Sequence, residues 1–214
     1  MRRKDQRARR EQLARAARAV LVDRGAVGLR VKDVAERAGV SPSSVLYYYP
    51  KLDDLLFDVA RDAIDRYTER RAESVRGLDD PIERLALAIR LGVPTGTDDV
   101  ESRILYELDA LAGVSPGFAA LTTSFFDRQV ALYEAILEYG AGHGVFSLSG
   151  ASPVDIARGI IALEDGLGLQ VVVGHGVVDS RRAETILVRY AAWATGLEPA
   201  ELDNSLRFEP TPRG

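Results

Sequence analysis

The chain has 214 residues, 46% of them hydrophobic and 28% charged, the make-up of a globular protein long enough to bury its own core. It contains no cysteine and only two histidines; this excludes disulfides, thiolate nucleophiles and cysteine-based metal centres, and argues against a histidine metal site. The net charge of −4 is unevenly spread: residues 1–51 carry 13 Lys and Arg against 5 Asp and Glu, a net of +8, and the remainder is −12. A basic front on an acidic body suggests an N-terminal module that meets a polyanion.

The predicted elements are helices throughout. From Arg7 to Asp23, Leu13, Ala16, Ala17, Val20 and Leu21 recur on one helical face, and Gly25 supplies a stop. A second helix spans Val31 to Ala38. Gly39 then permits a tight turn, Ser41 is a good N-cap and Pro42 suits the first helical position. A short third helix runs from Pro42 to about Tyr48, and Pro50 breaks it. Longer helices follow over Lys51 to Val75, Pro81 to Val93, Asp98 to Leu111, Phe118 to Tyr139, Ser152 to Val173 and Asp179 to Thr195. That makes an all-α fold of about nine helices. A polar tail over 201–214 is expected to be disordered. No apolar run reaches about 18 residues, so no membrane span is expected. The start MRRKDQRARREQ lacks the apolar stretch of a signal peptide, so a cytoplasmic protein with no membrane partner is expected.

Helix two, the turn at Gly39 to Ser41 and helix three fit a helix–turn–helix, whose second helix enters the major groove. Ala35 is small where two helices approach, and Ser43, Ser44, Tyr47 and Tyr48 are hydroxyl-bearing groups that reach phosphates or base edges. Of the three consecutive tyrosines, Tyr49 is expected to pack inward. Arg30 and Lys32 open helix two, where a phosphate is favoured. Arg2, Arg3, Lys4 and Arg7 are candidates for an arm along the DNA.

Residues 8–56, through Gly28-Leu29-Arg30-Val31-Lys32-Asp33-Val34-Ala35-Glu36-Arg37-Ala38-Gly39-Val40-Ser41 and on through Pro42 to Leu56, resemble the N-terminal domain of TetR/AcrR-family bacterial transcriptional regulators. The chain departs from the family pattern at Leu46, where tyrosine is common, and at Lys51-Leu52, where the lysine sits one place early. The run Ile160 to Gln170 resembles the eighth helix of betaine-pathway-type repressors. The resemblance implies a DNA-binding domain over 1–50, with Arg30, Lys32, Ser41, Pro42, Ser43, Ser44, Tyr47, Tyr48 and Lys51 as contacts. It implies a helical effector-binding and dimerisation domain over 51–200.

In that second domain Tyr106, Phe118, Leu121, Phe125, Phe126, Gln129 and Tyr133 have the composition of a small-molecule pocket, with Glu164 and Asp165 as polar ends. A small apolar or cationic effector fits this lining. Ordinary core packing would give the same residues. Ile156, Ile160, Leu163, Leu167 and Val171 with Ile186, Tyr190 and Trp193 form the expected homodimer seam, as a four-helix bundle across a two-fold axis. His143 and His175 follow helix ends and are read as surface residues. No Ser/His/Asp order, P-loop or dinucleotide glycine pattern is present, so no enzyme, metal or cofactor is expected. The reading is a dimeric, ligand-responsive repressor of a near-palindromic double-stranded DNA operator. The alternatives are a constitutive DNA-binding protein and a helical small-molecule enzyme.

Overall fold

The computed structural model describes the backbone of residues 2–113, 115–148, 150–174 and 176–206, and the side chains of those from 6 to 205. Helices follow one another as α1 (Arg2–Gly28), α2 (Val31–Ala38), α3 (Pro42–Tyr48), α4 (Leu52–Arg76), α5 (Pro81–Gly92), α6 (Val100–Asp109), α7 (Pro116–Gly142), α8 (Pro153–Val173), α9 (Ser180–Thr195) and α10 (Pro199–Leu206), with a 3-10 turn over Ala110–Gly113 after α6. No strand occurs among the described residues.

The chain divides into two compact units. The first holds the chain through Tyr67 together with Val100–Thr123; the second holds Thr68–Asp99 together with the described residues from Ser124 on. The first unit therefore reaches beyond the expected boundary at residue 50. Its core is built from Leu13, Ala17, Val20 and Leu21 of α1, Val34 and Ala35 of α2, Val45 and Tyr49 around α3, Leu55 and Val59 of α4, and Ile104 and Leu108 of α6. Gln12 Nε2 donates to the Ala38 carbonyl at 2.8 Å and ties α1 to the end of α2.

Gly25 breaks α1, as expected. It takes φ 72°, ψ 170°, and the helix restarts beyond it to Gly28. The new start exposes the Ala26 N–H, which a side chain from α6 satisfies: Glu107 Oε2 accepts it at 2.8 Å. A cap supplied from 81 residues away leaves no local sequence pattern, whereas Ser, Thr, Asp or Asn at the N-cap would.

In the second unit, Leu85 and Ile89 of α5, Leu137 of α7, Ile156 and Ile160 of α8, and Leu187 and Ala191 of α9 are buried together. The helix α10 lies where a disordered tail was expected from residue 201. Pro199 acts as a helix start rather than a stop, and Leu202 is completely buried in the same core. Residues 207–214 of that expected tail, and His175, lie outside the described residues.

Candidate nucleic-acid interface and buried polar cluster

The turn between α2 and α3 has the geometry its residues allow. Gly39 is left-handed, at φ 67°, ψ 36°, and the Val40 N–H returns to the Ala35 carbonyl at 3.0 Å. Ser41 caps α3, its Oγ accepting the Ser44 N–H at 3.2 Å, so this serine is committed to the fold. Val45 and Tyr49 face inward, and Tyr49 is the buried tyrosine, as expected. Its hydroxyl donates to Asp58 at 2.9 Å. Ser43, Leu46 and Tyr47 form the outer face of α3, with Tyr47 72% exposed and Leu46 45% exposed. Tyr48 is half-buried and meets the Tyr47 ring edge-on at 5.0 Å between centroids. Leu46 is an addition to the expected face; as an exposed aliphatic it is suited to a thymine methyl.

Around this face the basic residues separate into two groups. Arg24 pairs with Asp33 at 2.6 Å, and Arg37 pairs with Asp23. Arg30, Lys32 and Lys51 are exposed and in no ion pair with a described residue. These three leave their charge for an outside anion, which is what a phosphate contact requires.

In the second unit, three helices bring polar side chains to one buried point, and α5 adds a backbone carbonyl. Arg71 of α4 has no exposed surface, and Glu164 of α8 has 4%. Arg71 Nη2 donates to Glu164 Oε1 at 3.0 Å, to the Ala88 carbonyl at 2.8 Å and to the Tyr133 hydroxyl at 3.1 Å. Its Nη1 donates to Gln129 Oε1, and the Tyr133 hydroxyl donates to Glu164 Oε1. The guanidinium carbon also lies 5.4 Å from the centre of the Tyr133 ring. Burial holds the Glu164 carboxyl above its ordinary pKa, against the opposing pull of Arg71 and Tyr133. There is no spare room: a Cβ on Gly92 of α5 would overlap the Glu164 carboxylate and crowd Arg71. Gly92→Ala is therefore expected to lower stability by about 1–3 kcal/mol, read from urea unfolding against a Gly77→Ala control, where a Cβ meets open space.

The expected pocket residues are divided between the two units. Gln129, Tyr133 and Glu164 come together, joined by Arg71. Tyr106, Phe118 and Leu121 belong to the first unit, where Phe118 packs edge-on against Phe57 at 5.7 Å. The rings of Phe125 and Phe126 lie 5.9 Å apart, tilted by 43°, and Asp165 is half-buried on a different face of α8 from Glu164. A cleft of about 300 Å³ is lined by Arg71, Gln129, Thr68, Glu73, Arg128 and Leu132, among others of α4 and α7. No aromatic residue is among its described lining, and the surface it presents is mainly apolar. The expected seam also divides: Ile156, Ile160, Leu167 and Val171 are buried in the chain's own core, Leu163, Ile186 and Tyr190 are half-buried, and Trp193 is 77% exposed. His143 is exposed.

Residues 13–59 match the model of the tetR family of bacterial regulatory proteins, and residues 81–194 match the model of the C-terminal part of BetI-type transcriptional repressors. The chain belongs to the TetR family. It is accordingly a helix–turn–helix transcriptional regulator, with α2 and α3 as the DNA-binding pair. The HTH-type transcriptional regulator HbdR of Aromatoleum sp. strain CIB is 30% identical over 81 residues, which is 38% of this chain and 35% of that protein. The chain thus aligns with about a third of that relative's length. A transcriptional regulator from Saccharomonospora viridis in complex with choline has a similar fold, with TM-score 0.79 and 23% identity over 86% of this chain and 95% of its own. A regulator from Rhodococcus sp. Rha1 gives 0.75 and 24% over 86% and 95%. No described helix is long and apolar enough to cross a membrane.

Proposed function

We propose that this chain is a homodimeric repressor that binds a near-palindromic operator through α3 and releases it when a small molecule is taken up by the second unit. The observation that carries the DNA half is the outer face of α3 with Ser43, Leu46 and Tyr47 turned to solvent beside Arg30, Lys32 and Lys51. Two such helices in a dimer read half-sites about 34–36 Å apart, or a multiple of that.

The Arg71–Glu164–Tyr133–Gln129 cluster supports the effector half. A buried carboxylate needs a partner, and here the chain supplies one in Arg71, so Glu164 does not wait for a cation from outside. An effector in the cleft lies beside Arg71 and Gln129, and so beside the cluster. A small molecule with an apolar body and a polar end suits that mainly apolar surface. Choline, the ligand of the Saccharomonospora viridis protein, is the first compound to test.

The experiment is selection of bound duplexes from the chain's own genome, followed by salt titration of the enriched sequence. Lys51→Ala is expected to reduce the slope of log affinity against log salt by roughly 0.9, the loss of one phosphate contact. Tyr47→Ala is expected to weaken the enriched sequence about tenfold or more, as loss of a base contact does. Failure to enrich any duplex sinks the operator reading. Compounds that raise the melting temperature and release the enriched duplex identify the effector; a screen in which none does both leaves the constitutive DNA-binding reading.

A further inference from the structure

A groove of about 1210 Å³ runs between α1 and the first half of α4, wholly within the first unit. It is separate from the recognition face: of the residues around α3, only the buried Tyr49 lines it. Six of the described arginines face it, and most are answered from within. Arg7 pairs with Glu11 at 2.9 Å, Arg10 and Arg61 share Asp58 at 3.4 and 2.9 Å, and Arg66 pairs with Asp62 at 2.7 Å. Among the described residues, these pairs occupy all three carboxylates that line the groove and leave Arg15 and Arg18 over.

Arg18 is the more telling of the two. It is half-buried, and loss of hydration together with the like charge of Arg66 lowers its pKa, against a weaker pull from Glu101 and Asp62. A guanidinium in that position gains from any anion placed between it and Arg66. Along the same groove Ala14, Ala19, Val22 and Val59 offer an apolar strip. The volume exceeds the roughly 300–1,000 Å³ of common small-molecule sites. Guanidinium groups grip phosphate with two parallel hydrogen bonds.

We propose that the α1–α4 groove binds a phosphorylated small molecule, with Arg18 and Arg66 holding a phosphate, Arg15 at the rim, and the carbon skeleton lying along the apolar strip. This site is independent of the effector cleft in the second unit and of the DNA reading.

The test is calorimetric titration of the full chain with inorganic pyrophosphate and with ATP at constant ionic strength. One saturable site per chain is expected for each. The Arg18→Gln/Arg66→Gln double variant, with parental circular dichroism and melting temperature, is expected to bind roughly tenfold more weakly or worse. Arg18→Gln alone, for use if the double variant does not fold, is expected to weaken binding in the same direction. Arg128→Gln, in the other unit's cleft, is expected to bind as the parent does. No saturable binding, undiminished binding by the folded Arg18 variants, or loss confined to Arg128→Gln would each overturn the assignment.

Discussion

Arg71→Met is expected to lower the stability of the folded chain by about 3–5 kcal/mol, the range for removing one partner of a buried ion pair. The size of the effect comes from what is left behind. Glu164 is almost wholly enclosed, and without Arg71 its remaining hydrogen-bond donor in the cluster is the Tyr133 hydroxyl. The Arg71→Met/Glu164→Gln double variant removes both charges and is expected to recover more than half of the loss, a coupling that independent sites would not show. The sign with pH follows from burial. The folded-state pKa of Glu164 is raised, so between the unfolded and folded values the folded chain holds more protons, and stability falls as pH rises through that window. Removing Arg71 removes a charge that pulls this pKa down, and so widens the window upward. The penalty of Arg71→Met, measured against the parent by urea unfolding, is therefore expected to be smaller at about pH 5 than at about pH 8. An equal penalty at both, undiminished in the double variant, would show that the lost packing of the arginine stem matters and the charge does not.

The helix–turn–helix was legible because its determinants are local. Gly39, Ser41 and Pro42 act on backbone atoms within a few residues of themselves, so their order in sequence is their order in space. The buried cluster was only half legible. Gln129, Tyr133 and Glu164 stand out as polar groups on apolar helices, but Arg71 sits in a charged stretch of α4 that reads as a solvated face. A signal was present: Ala60, Ile64, Tyr67, Arg71 and Val75 recur at helical spacing, and all five are buried, so the arginine occupies an inward position in a core stripe. The register of α8 was misread for the opposite reason. That helix is apolar on nearly every side, and hydrophobicity alone does not separate the face turned to its own core from the face turned outward. The cap on Ala26 from Glu107 had no local signal at all.

That same register decides which substitutions break the dimer. On α8, Ala162, Gly166, Leu169 and Val173 are exposed, and on α9 Trp193 is 77% exposed beside the half-buried Ile186 and Tyr190. The Tyr190 ring crosses onto α8 at Gly159, where a Cβ would overlap its hydroxyl, and lies 6.0 Å from the ring of Trp193. The small residues Ala162 and Gly166 allow a partner helix to approach closely, and Leu169, Val173 and Trp193 flank them with apolar surface that a lone chain leaves wet. A second copy of the chain, related by a two-fold axis, is expected to cover this surface with the same residues. Trp193→Arg is expected to weaken the dimer by about 2–4 kcal/mol, the scale of an interface hot spot, or roughly 30- to 1000-fold in Kd. Sedimentation at micromolar concentration should then show monomer, with the melting profile of a folded chain. Leu167→Arg behaves differently. Leu167 is buried in the chain's own core, so a charge there is expected to cost the fold itself, and helicity falls along with association. If Trp193→Arg sediments as the parent does, the seam lies on another face; if Leu167→Arg gives a folded monomer, the inward register of α8 is wrong.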